Sequence, residues 1–160
     1  MIQPTETSLI LLDTITFDLL ATEGPKKLTA TARQEIEQAT TVYSSTVSLW
    51  ELANHVQEGV IVLSVSFEEH YRALLRAMTT ELLPLEWKAL AYLSTFDLQI
   101  IEKPWRVTKR GQISRGIKRE LHRDPFDRMI IAHAISMQIP LGSPDSLFPH
   151  YKPKGLKLIW

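Results

Sequence analysis

The chain has 160 residues, of which 44% are hydrophobic and 22% charged, and this composition fits one globular domain over residues 1–160. Its 18 Lys and Arg balance 18 Asp and Glu, so no overall charge points to nucleic acid or membrane, and the lack of cysteine excludes disulfides, thiolate zinc sites and a cysteine nucleophile. No apolar run is long enough to span a bilayer and the first residues do not resemble a signal peptide, so we expect a cytoplasmic protein with no membrane partner.

The first half of the sequence alternates between strand-like and helix-like segments. Residues 8–13 (SLILLD) are a short apolar run that ends in an acid, which is typical of a buried parallel strand. Residues 27–39 have helical spacing of their apolar positions. The β-branched residues 40–48 predict a second strand, and residues 49–59 predict a helix that ends at a glycine.

Two more helices are predicted between residues 66 and 96. Ser66 and Glu69 form a capping box ahead of a helical pattern through residues 70–82. Residues 85–96 predict a further helix, which we expect to pair with the preceding one. Residues 98–101 fit either a short strand or the end of that helix, and the sequence does not decide between them.

A basic segment, residues 102–124, interrupts this otherwise neutral chain. Between Lys103 and Arg123 it contains eight Lys or Arg and one acid, Glu120. Its two glycines favour a mobile surface loop with some helix, and a purely solvated excursion explains the charge as simply as a binding role does.

The last third of the chain again predicts a helix between strands. Asp124 occupies an N-cap position and Pro125 the first position of a helix over residues 125–138. Residues 139–143 and 156–160 predict strands. Strands that alternate with helices along a chain indicate an α/β layer fold with a mostly parallel sheet.

Acidic residues lie at or near the ends of the predicted strands. They are Asp13, Glu51, Asp124, Asp127 and Asp145. Because sites in open parallel sheets form beyond the carboxyl ends of the strands, several of these acids converge if their strands are neighbours. A carboxylate cluster is costly unless a hard cation such as Mg²⁺ or Mn²⁺ neutralises it. The five histidines are scattered, and we expect them to be surface or packing residues rather than metal ligands.

Four segments, in chain order, carry a family resemblance: LLDT (11–14), SLWELA (48–53), HRDPFDRMIIAHA (122–134) and SPDSLF (143–148). Together they resemble PIN-domain ribonucleases of the VapC type, which are toxins of bacterial toxin–antitoxin pairs. The resemblance implies a PIN-like α/β fold, in which helices flank a small, mostly parallel sheet. It also implies an endoribonuclease dependent on Mg²⁺ or Mn²⁺, in which a metal-activated water cuts the RNA and leaves 5′-phosphate and 3′-hydroxyl ends.

Carried over residue by residue, the resemblance assigns roles to the acids. The catalytic and metal-holding acids would be Asp13, Glu51, Asp127 and Asp145, with Asp124 as an auxiliary metal ligand or helix cap and Ser143 as an auxiliary hydroxyl. Basic residues that would contact RNA phosphates are Arg106, Lys109, Arg110, Arg115, Lys118 and Arg119. Trp105 would either stack a base or, more simply, anchor the loop. The family also implies a cognate antitoxin and a homodimer, for which the helices at 67–80 and 85–96 are candidate surfaces, although each is more simply core.

The sequence departs from the family pattern at a few positions. Ile15 and His55 stand where His and Lys are common in this subgroup, Pro144 stiffens the last acidic loop, and residues 102–122 look like an insertion. Two other functions stay open. One is a catalytically inactive PIN-like module that binds RNA or protein, and the other is a metal-dependent nuclease that acts on DNA.

Overall fold

The computed structural model describes residues 8–160, which form six α-helices and seven β-strands. The helices are α1 (Thr14–Glu23), α2 (Ala30–Gln38), α3 (Thr46–Gln57), α4 (Phe67–Ala77), α5 (Trp87–Ser94) and α6 (Pro125–Met137). The strands are β1 (Leu9–Leu12), β2 (Thr41–Ser45), β3 (Thr80–Leu83), β4 (Ile100–Lys109), β5 (Gln112–Leu121), β6 (Leu141–Gly142) and β7 (Leu158–Ile159). Within these residues, no helix combines the length and the apolar character needed to cross a membrane.

Five strands form one parallel sheet, in the order β3-β2-β1-β6-β7. The central strand is β1, in which Leu11 pairs with Tyr43 of β2 on one side and with Leu141 of β6 on the other. Its apolar run suits a strand that is covered on both faces, and Ile10, Leu11 and Leu12 are all buried. The predicted α/β fold with a small parallel sheet is confirmed.

Helices cover both faces of this sheet, and alternate residues of β1 reach the two layers. Leu11 joins the core formed with α5 and α6, where Ile131 and the 3₁₀ helix residue Tyr151 are fully buried. Leu12 points to the other layer and packs in the cluster that contains Phe17 of α1. The carboxyl ends of β1, β2 and β6 therefore meet at one edge, between the two helical layers.

Several predicted element boundaries are wrong. The β-branched start of α1 gave no helix prediction, and packing of its buried Phe17 overrides that weak propensity. The second strand ends at Ser45, because the Ser45 hydroxyl accepts a hydrogen bond from Val47 N and caps α3. Helix α4 ends at Ala77, shortly before the left-handed Thr79 (φ 50°), and the last residues of the predicted helical pattern belong to β3, which pairs with β2. The predicted pairing of α5 with α4 is also wrong, since α5 packs against α6 on the opposite face of the sheet.

The basic segment is a β-hairpin, not the predicted mobile or partly helical loop. β4 and β5 pair antiparallel over their full length as a sheet separate from the main one. Arg110 (φ 49°) and Gly111 (φ 80°) form its two-residue turn, and positive φ at both positions matches the twist of a hairpin. Residues 98–101, which the sequence left undecided, lead into this hairpin through Ile100.

Candidate metal centre

Asp13 lies at the end of the central strand β1 and caps helix α1. One carboxylate oxygen accepts a hydrogen bond from Thr16 N at 2.6 Å, and the other accepts one from Ser143 Oγ at 2.5 Å. Burial raises the pKa of Asp13 from 3.8 to about 6, against the lowering effect of these hydrogen bonds, and the charge of Asp127 adds to the rise. Asp13 is therefore a fixed, poorly solvated carboxylate.

Glu51 approaches from α3, which starts directly after the neighbouring strand β2. It lies in the second turn of that helix and not in the first, where the predicted helix over residues 49–59 would place it, because the helix starts at Thr46. Its Oε2 accepts a hydrogen bond from Thr14 Oγ1 at 2.5 Å, so the residue next to Asp13 orients this second acid. Burial raises the pKa of Glu51, and the charges of Asp127 and Asp124 raise it further.

The two aspartates at the start of α6 have different surroundings. Asp124 is exposed, and its Oδ1 accepts hydrogen bonds from Phe126 N at 2.9 Å and Asp127 N at 3.1 Å, which makes it the N-cap. Asp127 is partly buried, and burial raises its pKa most strongly, with further increases from the charges of Asp124 and Asp145. The predicted cap is thus confirmed for Asp124, whereas Asp127 faces the other acids.

His122 is a site residue that the sequence did not reveal. The histidines were expected to be surface or packing residues, but this ring is only 1% exposed and joins two polar partners. Its Nε2 lies 3.0 Å from Asp127 Oδ2, and its Nδ1 lies 2.8 Å from the hydroxyl of buried Tyr151. The hydrogen bond with His122 lowers the pKa of Asp127 against the effect of burial. His122 therefore holds the Asp127 carboxylate in place.

Ser143 joins the last predicted acid to the first one. Its hydroxyl donates to Asp13 and accepts from Asp145 N at 3.1 Å. The Asp145 carboxylate accepts from Leu147 N at 2.7 Å, and this bond fixes the loop that follows β6. Asp145 is partly buried, and its charge contributes to the raised pKa of Asp127.

The acids thus share one electrostatic environment at one edge of the sheet. Asp13, Glu51 and Asp127 each have a raised pKa, and the charge of Asp127 contributes to the rise at both other residues. An all-oxygen donor set under mutual repulsion suits a hard divalent cation such as Mg²⁺ or Mn²⁺. Over residues 8–160, however, no three Asp, Glu or His side chains form a ready-made metal cage. The donor chemistry fits an open site, in which Mg²⁺ keeps several waters and takes further oxygens from a substrate phosphate.

The six predicted RNA-binding residues lie outside this cluster, on the β4–β5 hairpin. Arg119 forms an ion pair with Glu102 at 2.7 Å, and Lys118 forms one with Glu120 at 2.8 Å. The other four are exposed and form no ion pair within the described part of the chain. The structure therefore brings the acids together but leaves these basic residues on a separate sheet.

The residues that depart from the family pattern leave the acids in place. Ile15 is 53% exposed, in the first turn of α1. His55 lies in the last turn of α3, and its charge lowers the pKa of Glu51. Pro144 stands between Ser143 and Asp145, whose hydrogen bond is nevertheless formed.

Comparison with known proteins identifies the family. The PIN domain family profile matches residues 10–152. Among solved structures, the chain is similar to VapBC2 from Rickettsia felis bound to a DNA fragment from its promoter, with a TM-score of 0.56 and 16% identity over 94% of this chain and 96% of that one. At that identity the likeness shows the fold. A search of curated proteins by sequence gives no significant match. Because the profile covers most of the chain, the protein belongs to the PIN domain family.

Proposed function

We propose that this PIN domain is the toxin of a toxin–antitoxin pair and that it cleaves RNA in the cytoplasm with the help of Mg²⁺ or Mn²⁺. The observation that carries the proposal is the meeting of Asp13, Glu51 and Asp127, whose raised pKa values reflect a shared cost of burial and repulsion. A bound divalent cation would offset the repulsion among these carboxylates and would also bind a substrate phosphate.

Each acid of the proposed centre has its own positioning residue. Ser143 and Thr16 N fix the two oxygens of Asp13, and Thr14 orients Glu51. His122 orients Asp127. With the carboxylates oriented in advance, little reorganisation is required when cation and substrate arrive. A bound divalent cation supplies charge neutralisation at the phosphoryl group and lowers the pKa of the attacking water.

The roles of Asp145 and Asp124 differ in this proposal. Asp145 completes the acidic edge through Ser143 and through its charge near Asp127. Asp124 caps α6, and its charge also reaches Glu51 and Asp127. We assign Asp145 to the catalytic set and Asp124 to the outer, auxiliary position.

We infer a cognate antitoxin as the protein partner, because the structurally similar chain comes from a VapBC2 assembly. We also infer a homodimer. Apolar side chains for such contacts are exposed on and beside α5, where Trp87 is 84% exposed. Light scattering of the isolated protein, with Trp87→Lys as the altered variant, tests the dimer: the variant is expected to be monomeric at concentrations where the parent is dimeric.

The function is tested by cleavage of a panel of structured RNAs in Mg²⁺, in Mn²⁺ and in EDTA. The Asp13→Asn and Asp127→Asn variants should lose metal-dependent cutting, while Asp18→Asn, an exposed acid on α1, should retain it. Circular dichroism of each variant checks that it is folded. Metal binding without any cleavage would favour the inactive binding module, and faster cutting of matched DNA would favour a DNA nuclease.

A further inference from the structure

The strand pairing of the basic hairpin separates its side chains onto two faces. Residues directly opposite one another share a face, and the pairs alternate along the strands. Lys103 pairs with Lys118 and Trp105 with Gly116, so these four residues lie on one face, called here the tryptophan face. The intervening pairs Pro104–Ile117 and Arg106–Arg115 lie on the opposite face. The six predicted RNA contacts therefore do not form one surface.

Trp105 lies across the backbone of Gly116. A Cβ atom added at Gly116 would lie 2.7 Å from the indole Nε1, 2.8 Å from Cε2 and 2.9 Å from Cζ2. No side chain fits under the ring, and a glycine within a strand is otherwise unfavourable. The indole is thus held against the hairpin while 41% of Trp105 stays exposed. This arrangement presents an aromatic surface to solvent.

The base of the tryptophan face lies beside Asp124, at the start of α6. A cavity of about 400 Å³ at the base of the hairpin is lined by Lys103 and Glu120 of this face, together with Leu121, Arg123 and Asp124 at the start of α6. Ile101, on the same face, is fully buried in the protein core. Lys103 therefore lies beside the start of α6, and Trp105 lies two residues further along the same face.

Positive charge lies beside the aromatic ring. Lys103 and Lys118 both contact Glu120, at 3.5 Å and 2.8 Å, so one acid faces two lysines. Lys109, further along the same face, is exposed and has no ion pair in the described residues. Lysines beside an exposed aromatic ring are the usual combination for single-stranded nucleic acid, because the ring stacks a base while the lysines contact phosphates.

We propose that Trp105, supported by Gly116, stacks an unpaired base of the RNA on its way to the acidic cluster, with Lys103, Lys109 and Lys118 on the phosphates. This inference rests on the proposed ribonuclease function. It excludes Arg106, Arg115 and Arg119 from the same contact, because they lie on the opposite face. Since every base has a face that stacks, the site favours single strands over duplexes without reading their sequence.

Binding, measured apart from cleavage, tests the inference. The parent for this experiment is Asp13→Asn in EDTA, and the probes are a fluorescent oligouridylate, a duplex RNA of equal length and inorganic polyphosphate. Adding Trp105→Ala should weaken oligouridylate binding roughly 5- to 150-fold, the range for one stacked base. Trp105→Phe should recover part of that loss. Polyphosphate binding should not change, because polyphosphate has no base to stack on the ring.

Two further variants separate stacking from hairpin stability. Gly116→Ala should push the indole out of place and reproduce the selective loss of oligouridylate binding. Ile117 lies on the opposite face and is 69% exposed, so Ile117→Ala should not change the binding of either oligouridylate or polyphosphate. Equal losses for oligouridylate and polyphosphate would overturn the inference in favour of a structural tryptophan, and unchanged oligouridylate binding would overturn it as well. If the unsubstituted protein also fails to cut any RNA, the proposed function fails too; cutting together with unchanged binding refutes the stacking site alone.

Discussion

Replacing Asp13 with asparagine should make the metal-free protein more stable at neutral pH. The folded state raises the pKa of this carboxyl from 3.8 to about 6, so it holds the proton more tightly than the unfolded chain does. The stability associated with the protonated form is therefore present below about pH 4 and is lost as the pH rises to about 6. A rise of roughly two pKa units corresponds to about 3 kcal/mol at pH 7.

Asparagine removes this charge but keeps most of the local geometry. Its side-chain oxygen still accepts from Thr16 N as an N-cap, and its amide donates to Ser143 Oγ. We therefore expect Asp13→Asn to gain up to about 3 kcal/mol over the parent at pH 7 in EDTA. Each kcal/mol corresponds to roughly 2–4 °C in Tm for a chain of this size. At pH 4 the two proteins should be nearly equal in stability.

Thermal unfolding between pH 4 and pH 8, with EDTA or with Mn²⁺, measures both effects. Mn²⁺ should stabilise the parent at pH 7, by about 2.7 kcal/mol at a hundredfold excess over Kd, and should stabilise Asp13→Asn much less. Asp18→Asn, on the same helix but exposed, controls for a general change of charge. If Asp13→Asn is less stable than the parent at pH 7 in EDTA and follows the same pH dependence, the buried charge of Asp13 does not destabilise the folded protein.

Substitutions at His122, Asp124 and Thr14 test individual contacts. His122→Phe should cost roughly 1–3 kcal/mol in urea unfolding, because it removes the hydrogen bond between His122 and the buried Tyr151 hydroxyl, and adding Tyr151→Phe should recover part of that cost; equal stability of single and double variants would contradict it. Asp124→Ala should cost about 1 kcal/mol through loss of the cap, whereas Asp124→Asn should retain both stability and RNA cleavage, so an inactive Asp124→Asn would make this residue an essential acid. Thr14→Val should lower the rate of RNA cleavage several-fold, because Glu51 loses its hydrogen bond, and an unchanged rate would show that Thr14 does not position it.

Local sequence signals predicted the parts of this fold that local interactions determine. The apolar run of β1 and the Asp124-Pro125 start of α6 were readable because a buried strand and a capped helix have short, distinctive patterns. The hairpin could not be predicted in this way, because the many lysines and arginines of its strands leave no clear alternation of apolar and polar residues. In addition, its turn requires a left-handed conformation at Arg110, which is unusual for a residue other than glycine. His122 could not be assigned either, since its contact with Asp127 exists only once β5 ends beside α6.

The sequence predicted the acids of the candidate site but not the residues that position them. Asp13 and Asp127 stand in recognisable motifs, and the structure places them close enough for one charge to affect the other. Their positioning residues come from distant parts of the chain, as Ser143 does for Asp13. Contacts between residues so far apart in the sequence depend on the order of the strands in the sheet, which local sequence patterns do not encode.

The pairing of β1 with β6 has a consequence for synthesis of the protein. The hydrogen bond between Ser143 and Asp13 joins residues 130 positions apart, and Leu11 pairs with Leu141 in the same ladder. A nascent chain makes these contacts only after the segment around residue 143 has left the ribosome, because folding of such distant pairs must wait for both partners. An incomplete translation product therefore lacks an assembled acidic edge. If the protein is a ribonuclease toxin, it becomes active only when nearly the whole described chain is available to fold.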